Sequence, residues 1–222
     1  MWCVPELNAE YIERMEDILD LYAQPYNPNE PVMCLDEKPV QLLADVADVA
    51  IDHRDGSTWR DYEYKRQGTA NVFVAVESKA PRPKHMLKVT RRRTKQDFAK
   101  MLRDISRRFP KVRTIHLVMD NLNTHRENSL IETFGAKNGR RLWCRFKVHY
   151  TPKHASWLNQ AEAEIGVYSR QCLGKRRMSS IDELRAETNA WQKWANRNKL
   201  RISWSFTTTD ARAVFKYRST II

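Results

Sequence analysis

Three stretches of this 222-residue chain place carboxylates where they could do chemistry. Val32 to Lys38 (VMCLDEK) and Thr114 to Asp120 (TIHLVMD) are apolar runs that meet an acid, at Asp36 and Asp120. An acid at the exit of a buried strand stands on a rigid element, half in the core and half at the sheet edge, which suits metal-binding and catalytic groups. The same place suits an ordinary turn or helix cap. Asp120 has polar company in Asn121, Asn123, Thr124 and His125, more than a cap needs. The third stretch, HASWLNQAEAEIGVYSRQCL (His154 to Leu173), reads as a helix with a buried stripe of Leu158, Ala161, Ile165, Tyr168 and Cys172. At roughly 100° per residue, Glu162 and Glu164 flank that stripe on opposite sides, each roughly 80° from its centre. Only one flank can face a site made by Asp36 and Asp120, and periodicity leaves the two glutamates tied.

Two Asp and one Glu drawn from distant segments suit Mg²⁺ or Mn²⁺, which prefer oxygen ligands and are held by a few carboxylates plus substrate phosphate. Two such ions roughly 4 Å apart can activate an attacking hydroxyl and stabilise the leaving oxygen of a phosphodiester. Charge fits that chemistry. With 39 Lys and Arg against 27 Asp and Glu, the net charge is +12 and the pI about 9.7. A polyanion is the expected partner, and the cations are clustered: Arg91-Arg92-Arg93-Thr94-Lys95, Arg140-Arg141 and Lys175-Arg176-Arg177. Such clusters neutralise phosphates along a duplex, or simply solvate a face. Lys38 and Asn159 lie beside the acids in sequence and are candidates for phosphate or metal-bound water, with surface or capping duty as the alternative. Asn121, His125 and His154 are candidates for the scissile-phosphate neighbourhood. No Cys or His stands at zinc spacing from these histidines. Trp157 reads as packing at the helix start rather than a base-stacking platform. Asp45, Asp48 and Asp52 lack the Gly and terminal Glu of an EF-hand loop.

Other function classes are disfavoured. Four scattered cysteines without a C-x-x-C pair predict neither a structural zinc site nor a disulfide framework. No apolar run is long enough to span a bilayer, so a soluble, cytoplasmic protein is expected.

Around these residues the spacing predicts a helix over Asn8 to Tyr22, ended by PYNPNEP, and a strand over Val32 to Lys38. Residues 39 to 60 are ambiguous, with HRDGST reading as a loop. Tyr62 to Lys65 and Asn71 to Glu77 read as a hairpin through Arg66-Gln67-Gly68-Thr69. Then come a helix from Lys95 to Phe109, a strand from Thr114 to Asp120, a helix from Ser129 to Phe134, a strand from Leu142 to Tyr150, the glutamate-bearing helix, and a last helix over Ser180 to Asn196 with a capping box at Ser180 and Glu183. An α/β fold follows, with a mixed sheet flanked by helices.

CLDEK, DYEYKRQGTANVFVAVE (Asp61 to Glu77), VMDNLNTH (Val118 to His125) and YTPKHASWLNQAEAE (Tyr150 to Glu164) together resemble the catalytic domain of bacterial mariner-like transposases of the insertion-sequence-630 type. SWSFTTTDAR (Ser203 to Arg212) and WCVPELNAEYIERMEDIL are similar to that family's C-terminal segment and lead-in, so the resemblance covers nearly the whole chain. It implies a ribonuclease-H-like fold with a mixed five-stranded sheet, and a DDE triad of Asp36, Asp120 and Glu162 binding two Mg²⁺ or Mn²⁺ ions. Glu162 is chosen by its place after Trp157-Leu158-Asn159; Glu164 is then expected to be solvated or paired with an Arg or Lys. The implied reaction is hydrolytic nicking at the element's ends, then attack of a freed 3′-hydroxyl on target DNA, with no covalent enzyme intermediate. The organisation expected is a helical lead-in (1–30), the catalytic domain (31–200) and a C-terminal tail (201–222). Full-length members carry a helix-turn-helix region, and here the first strand arrives by Val32. The chain is thus expected to be the downstream frame of a split transposase with a separately encoded helix-turn-helix half, a truncated copy or an excised domain, with a homodimer on DNA and a nucleoid-associated location. The alternatives are a non-catalytic DNA-binding remnant and a ribonuclease-H-like nuclease of other specificity.

Overall fold

Two long antiparallel strands form the middle of the molecule in the computed structural model, which describes residues 7–46, 50–51, 58–59 and 62–217. They are β1 (Val32–Asp45) and β4 (Tyr64–Glu77), paired from Met33 opposite Glu77 to Asp45 opposite Tyr64. β1 runs past Lys38 because Val40 and Leu42 keep alternating into the core. A short ribbon, β2 (Ala50–Ile51) with β3 (Thr58–Trp59), lies between them in sequence. The rest of the loop expected over HRDGST falls outside the described residues, as do residues 1–6.

The hairpin expected at Arg66 to Thr69 does not form. β4 continues through it, and Gly68, at φ +103°, sits where the β1 register slips between Leu42 and Leu43. A glycine inside a strand marks a bulge as readily as a turn. The true partner of β4 on its other side is β5 (His85–Thr90), a strand the sequence reading missed. Its alternation is short and lies between a Pro-rich turn and the triple arginine.

β6 (Ile115–Met119) and β7 (Phe146–Tyr150) complete a five-stranded sheet in the order β5-β4-β1-β6-β7. β6 is parallel to β1 and β7 is parallel to β6, while β4 and β5 run antiparallel to their neighbours. Leu142 and Trp143 end a helix rather than open β7, because AKNGRRLW winds as α4 (Ala136–Trp143) directly after α3 (Glu127–Phe134). The two helices touch at Gly139, where an added Cβ would stand 2.6 Å from the Ile131 nitrogen.

One face of the sheet packs on α2 (Lys95–Arg108), through Phe98, Met101, Leu102 and Ile105 against Met33, Leu35, Phe73 and Leu117. Thr94 and Asp97 cap that helix reciprocally. The other face is covered by α1 (Ala9–Ala23), by α5 (Gln160–Tyr168) and by α6 (Ile181–Asn198). At α6 the expected box is only half formed: Ser180 caps the Glu183 nitrogen, while the Glu183 carboxylate turns to Ser179. The C-terminal segment forms α7 (Thr208–Phe215) and packs with Trp204 and Phe206 on α1 and Trp157, so the flanking segments share a core with the sheet. Among the described residues, no helix is long and apolar enough to cross a membrane.

Candidate active site

Register brings the two aspartates together. β1 and β6 pair in parallel with Val32 opposite His116, Met33 opposite Leu117 and Cys34 opposite Val118. Continuing that alignment two residues past the last pair sets Asp36 beside Asp120. Both acids follow fully buried residues, Leu35 and Met119, so each leaves the core at the same edge of the sheet.

The third acid arrives on α5. A 3₁₀ turn over Ser156–Leu158 precedes the helix, and Asn159 caps it, its side-chain oxygen accepting from the Ala161 nitrogen at 3.2 Å. The Asn159 amide donates to the Leu35 carbonyl at 2.8 Å and approaches Asp36 Oδ2 at 3.5 Å. Tyr22 adds a second tie, donating to the Leu158 carbonyl at 2.9 Å. The start of α5 is thereby pinned to β1 and to α1 at the sheet edge where Asp36 leaves the core. Glu162 sits in the first turn, exposed, and its side chain makes no hydrogen bond or ion pair among the described residues.

Electrostatics show the acids as neighbours. Burial first, then the charges of Glu162, Asp120 and Glu37, push the Asp36 carboxyl from 3.8 up to about 7, against a hydrogen bond from the Glu37 nitrogen. Among the described residues no three His, Cys, Asp or Glu side chains converge closely enough to form a ready metal cage. Asp120 instead directs Oδ1 to His125 Nδ1 at 2.6 Å.

A raised carboxyl has a consequence for stability. The folded chain keeps a proton on Asp36 that the unfolded chain releases above about pH 4, so the metal-free fold weakens as pH rises from about 4 through 7. Asp36→Asn is therefore expected to stabilise the metal-free protein at pH 8 by about 2 kcal/mol, a value discounted from the full shift for solvent screening, and to change little at pH 4. Urea unfolding at both pH values checks this, and an equal effect at both would contradict it.

Residues 31–185 match the family model described as DDE superfamily endonuclease. The chain belongs to that superfamily. Solved structures of Mos1 share its fold. The Mos1 mariner paired end complex with Mn gives a TM-score of 0.55 at 14% identity, covering 90% of this chain and 61% of that one. The Mos1 strand transfer complex gives 0.55 at 13%, covering 90% and 60%. The paired end complex with Mg gives 0.51 at 13%, covering 90% and 62%. This chain thus spans about three-fifths of the Mos1 chains. The mixed five-stranded sheet flanked by helices is the ribonuclease-H-like fold expected from the motifs. No curated protein matches the sequence.

In this DDE-superfamily chain the candidate DNA contacts divide. Arg91, Arg92 and Arg93 lie exposed on the turn between β5 and α2, and Arg93 reaches Glu37, the residue after Asp36, at 3.7 Å. That places the cluster at the acidic edge. Lys38 is two residues beyond Asp36 on the same strand, and like Asn121 and Lys175 its side chain has no partner among the described residues. Arg176 and Arg177 are held within the fold instead. Arg176 pairs with Glu187 at 2.8 Å; Arg177 pairs with Asp45 at 2.7 Å and donates to the Glu63 carbonyl at 2.7 Å. Two candidates are not surface residues at all. Asn159 is 2% exposed and braces α5, and His125 is 1% exposed with both ring nitrogens engaged. A cleft of about 1090 Å³ opens beside Asp120 and Asn121, lined also by Arg14, Lys153 and His154. His154 is one of the non-glycine residues in the left-handed region, at φ +62°.

Glu164 departs from expectation. Its side chain is 1% exposed and meets His85 Nδ1 at 2.5 Å, while His85 Nε2 faces the Leu200 carbonyl at 3.0 Å. The helix flank opposite Glu162 faces β5 and α6, which the missed strand made invisible in the sequence. Glu37 was likewise overlooked, although alternation along β1 puts it on the face opposite Asp36.

Proposed function

We propose that this chain is the catalytic domain of a mariner-like transposase of the bacterial insertion-sequence-630 type, which cleaves DNA at the ends of its element and joins the freed 3′-hydroxyl to target DNA. The observation that supports this reading is the alignment of Asp36 and Asp120 at one sheet edge, with Glu162 near enough that its charge adds to burial in raising the Asp36 carboxyl to about 7. Their oxygens suit Mg²⁺ or Mn²⁺, and a divalent cation relieves the repulsion among them. The Mos1 complexes carry Mn or Mg in their names, and paired ends and strand transfer, which supports the same metals and DNA partners here.

When bound, two such ions supply activation of the attacking water or 3′-hydroxyl and stabilisation of the leaving oxygen. Asp36, Asp120 and Glu162 are the residues that would hold them. Asn159 keeps α5 at its distance from β1, so Glu162 and Asp36 hold their spacing while phosphate is bound. Arg91, Arg92, Arg93 and Lys38 meet the DNA backbone around the acidic centre, which attracts the substrate from a distance. The nucleophile is water or a DNA hydroxyl, and no side chain forms a bond to phosphorus. Synapsis of two ends calls for a homodimer on DNA, and reading those ends calls for a helix-turn-helix module alongside the catalytic domain.

The test is cleavage of transposon-end DNA by the purified chain, supplied with its DNA-reading half. Mg²⁺- or Mn²⁺-dependent nicking followed by strand transfer is the expected result. Preferential cleavage of an RNA–DNA hybrid would reassign the chain to another nuclease class, and no metal-dependent cleavage of any substrate would reject an enzymatic role.

A further inference from the structure

The dipeptide Asp36-Glu37 presents one carboxylate to each face of the sheet, because successive strand side chains alternate. Asp36 faces the α5 side. Glu37 shares its face with Leu35, toward α2, and its side chain is 5% exposed, yet no role in the reaction described above uses it. Its Oε1 lies 3.2 Å from His125 Nε2, and His125 Nδ1 lies 2.6 Å from Asp120 Oδ1 and 3.2 Å from the Asp120 main-chain carbonyl. The imidazole therefore bridges a buried carboxylate and a carboxylate of the reaction site.

The ring has little freedom to do anything else. It stacks on Phe98 with centroids 4.6 Å apart and planes 26° from parallel. Its backbone is fixed as well, the carbonyl accepting from Tyr150 Oη at 2.8 Å and the nitrogen donating to the Leu122 carbonyl at 2.9 Å. Asp120 stands past the end of β6, on backbone that no strand ladder restrains, and its side chain is 42% exposed. Without a brace its carboxylate would sample several rotamers. With Oδ1 held by His125, Oδ2 is left without a partner among the described residues.

We infer that Glu37 and His125 form a positioning relay, Glu37 orienting the imidazole and the imidazole fixing the rotamer of Asp120 so that its second oxygen faces the metal site. This rests on the reading of Asp120 as a metal-binding acid. Carboxylate and imidazole groups behind metal ligands act this way in general, and their loss weakens metal binding by about 10- to 100-fold. Glu37 and His125 are positioning residues; neither touches substrate.

Substitutions at His125 separate the relay from simple packing. An asparagine amide nitrogen falls near the position of Nδ1 and can still donate to Asp120, whereas a glutamine amide falls near Nε2 and reaches only Glu37. Mn²⁺ binding by the full chain, followed by electron paramagnetic resonance, is expected to weaken at least about tenfold in His125→Gln and to stay within about threefold of wild type in His125→Asn. At the other end of the relay, Glu37→Ala is expected to weaken Mn²⁺ binding about tenfold and Glu37→Gln, which keeps an acceptor for Nε2, by less than about threefold. Circular dichroism identifies any variant that fails to fold, and the two pairs are read independently. Equal affinities for Asn and Gln at position 125, or for Ala and Gln at position 37, would overturn the relay. Asp120→Asn is the separate control: if it leaves Mn²⁺ binding intact, the reading of the site itself fails, whereas loss of binding in Asp120→Asn with no difference within the pairs rejects the relay alone.

Discussion

Glu162→Gln is expected to lower metal-dependent strand cleavage by about a thousandfold or more, since each 1.4 kcal/mol of lost transition-state stabilisation is tenfold and a metal ligand supplies several kcal/mol. The fold should be nearly indifferent to the change. Glu162 is exposed in the first turn of α5 and its side chain pairs with nothing among the described residues, so the unfolding free energy should change by under about 0.5 kcal/mol. The combination is diagnostic, because a residue that lost activity by unsettling α5 would lose stability too. Steady cleavage in Glu162→Gln, measured on nicked or end-cleaved DNA with Mg²⁺ and with Mn²⁺, would remove Glu162 from the site.

Its neighbour two residues on gives the opposite pattern. Glu164→Ala is expected to cost about 3–5 kcal/mol of stability, because it strips the partner from a buried histidine rather than from solvent. The geometry explains the size. The Leu200 carbonyl can only accept, so Nε2 donates toward it, while Nδ1 faces the Glu164 carboxylate. Removing the carboxylate leaves that nitrogen buried without its partner, since the His85 and Glu164 side chains are 0% and 1% exposed. The same pair joins three elements, β5, α5 and the segment after α6, and Asn196 reinforces the junction through hydrogen bonds with the His85 backbone at 3.0 Å. His85→Ala should cost about as much, and the double replacement His85→Leu with Glu164→Met should recover most of the loss. Urea denaturation of the four proteins decides the matter. A change under about 1 kcal/mol in Glu164→Ala would mean the pair is no more than a surface contact.

Much of this arrangement could be read in the sequence, and the misses have physical causes. Asp36 and Asp120 both follow apolar runs that read as buried strands, and a parallel register with equal lead-in lengths then brings them side by side. The α5 stripe was visible as helical periodicity, and each of its residues is buried. The choice between Glu162 and Glu164 was not visible in that periodicity, since both lie at equal angles from the stripe. What distinguishes them physically is β5, a six-residue strand whose alternation is too brief to stand out between a Pro-rich turn and three arginines. Without β5, nothing in the sequence says that one flank of α5 is covered. Gly68 misled in the other direction, because a bulge and a turn draw on the same freedom of glycine. The charge clusters were legible as clusters, but Arg176 and Arg177 find partners on α6 and near the start of β4 that only the fold brings close.

The central claim is that Asp36, Asp120 and Glu162 hold divalent cations together. Metal-directed cleavage of the polypeptide tests it most directly and needs no DNA. Fe²⁺ substituted at an oxygen-ligand site, with ascorbate and peroxide, releases hydroxyl radicals that cut the chain beside the bound ion. The fragments are expected to end near residues 36, 120 and 162, to fade with excess Mg²⁺, and to disappear in Asp36→Asn, Asp120→Asn and Glu162→Gln. Cuts clustered at any other place, or cuts at these places that persist in the three variants, would contradict the account.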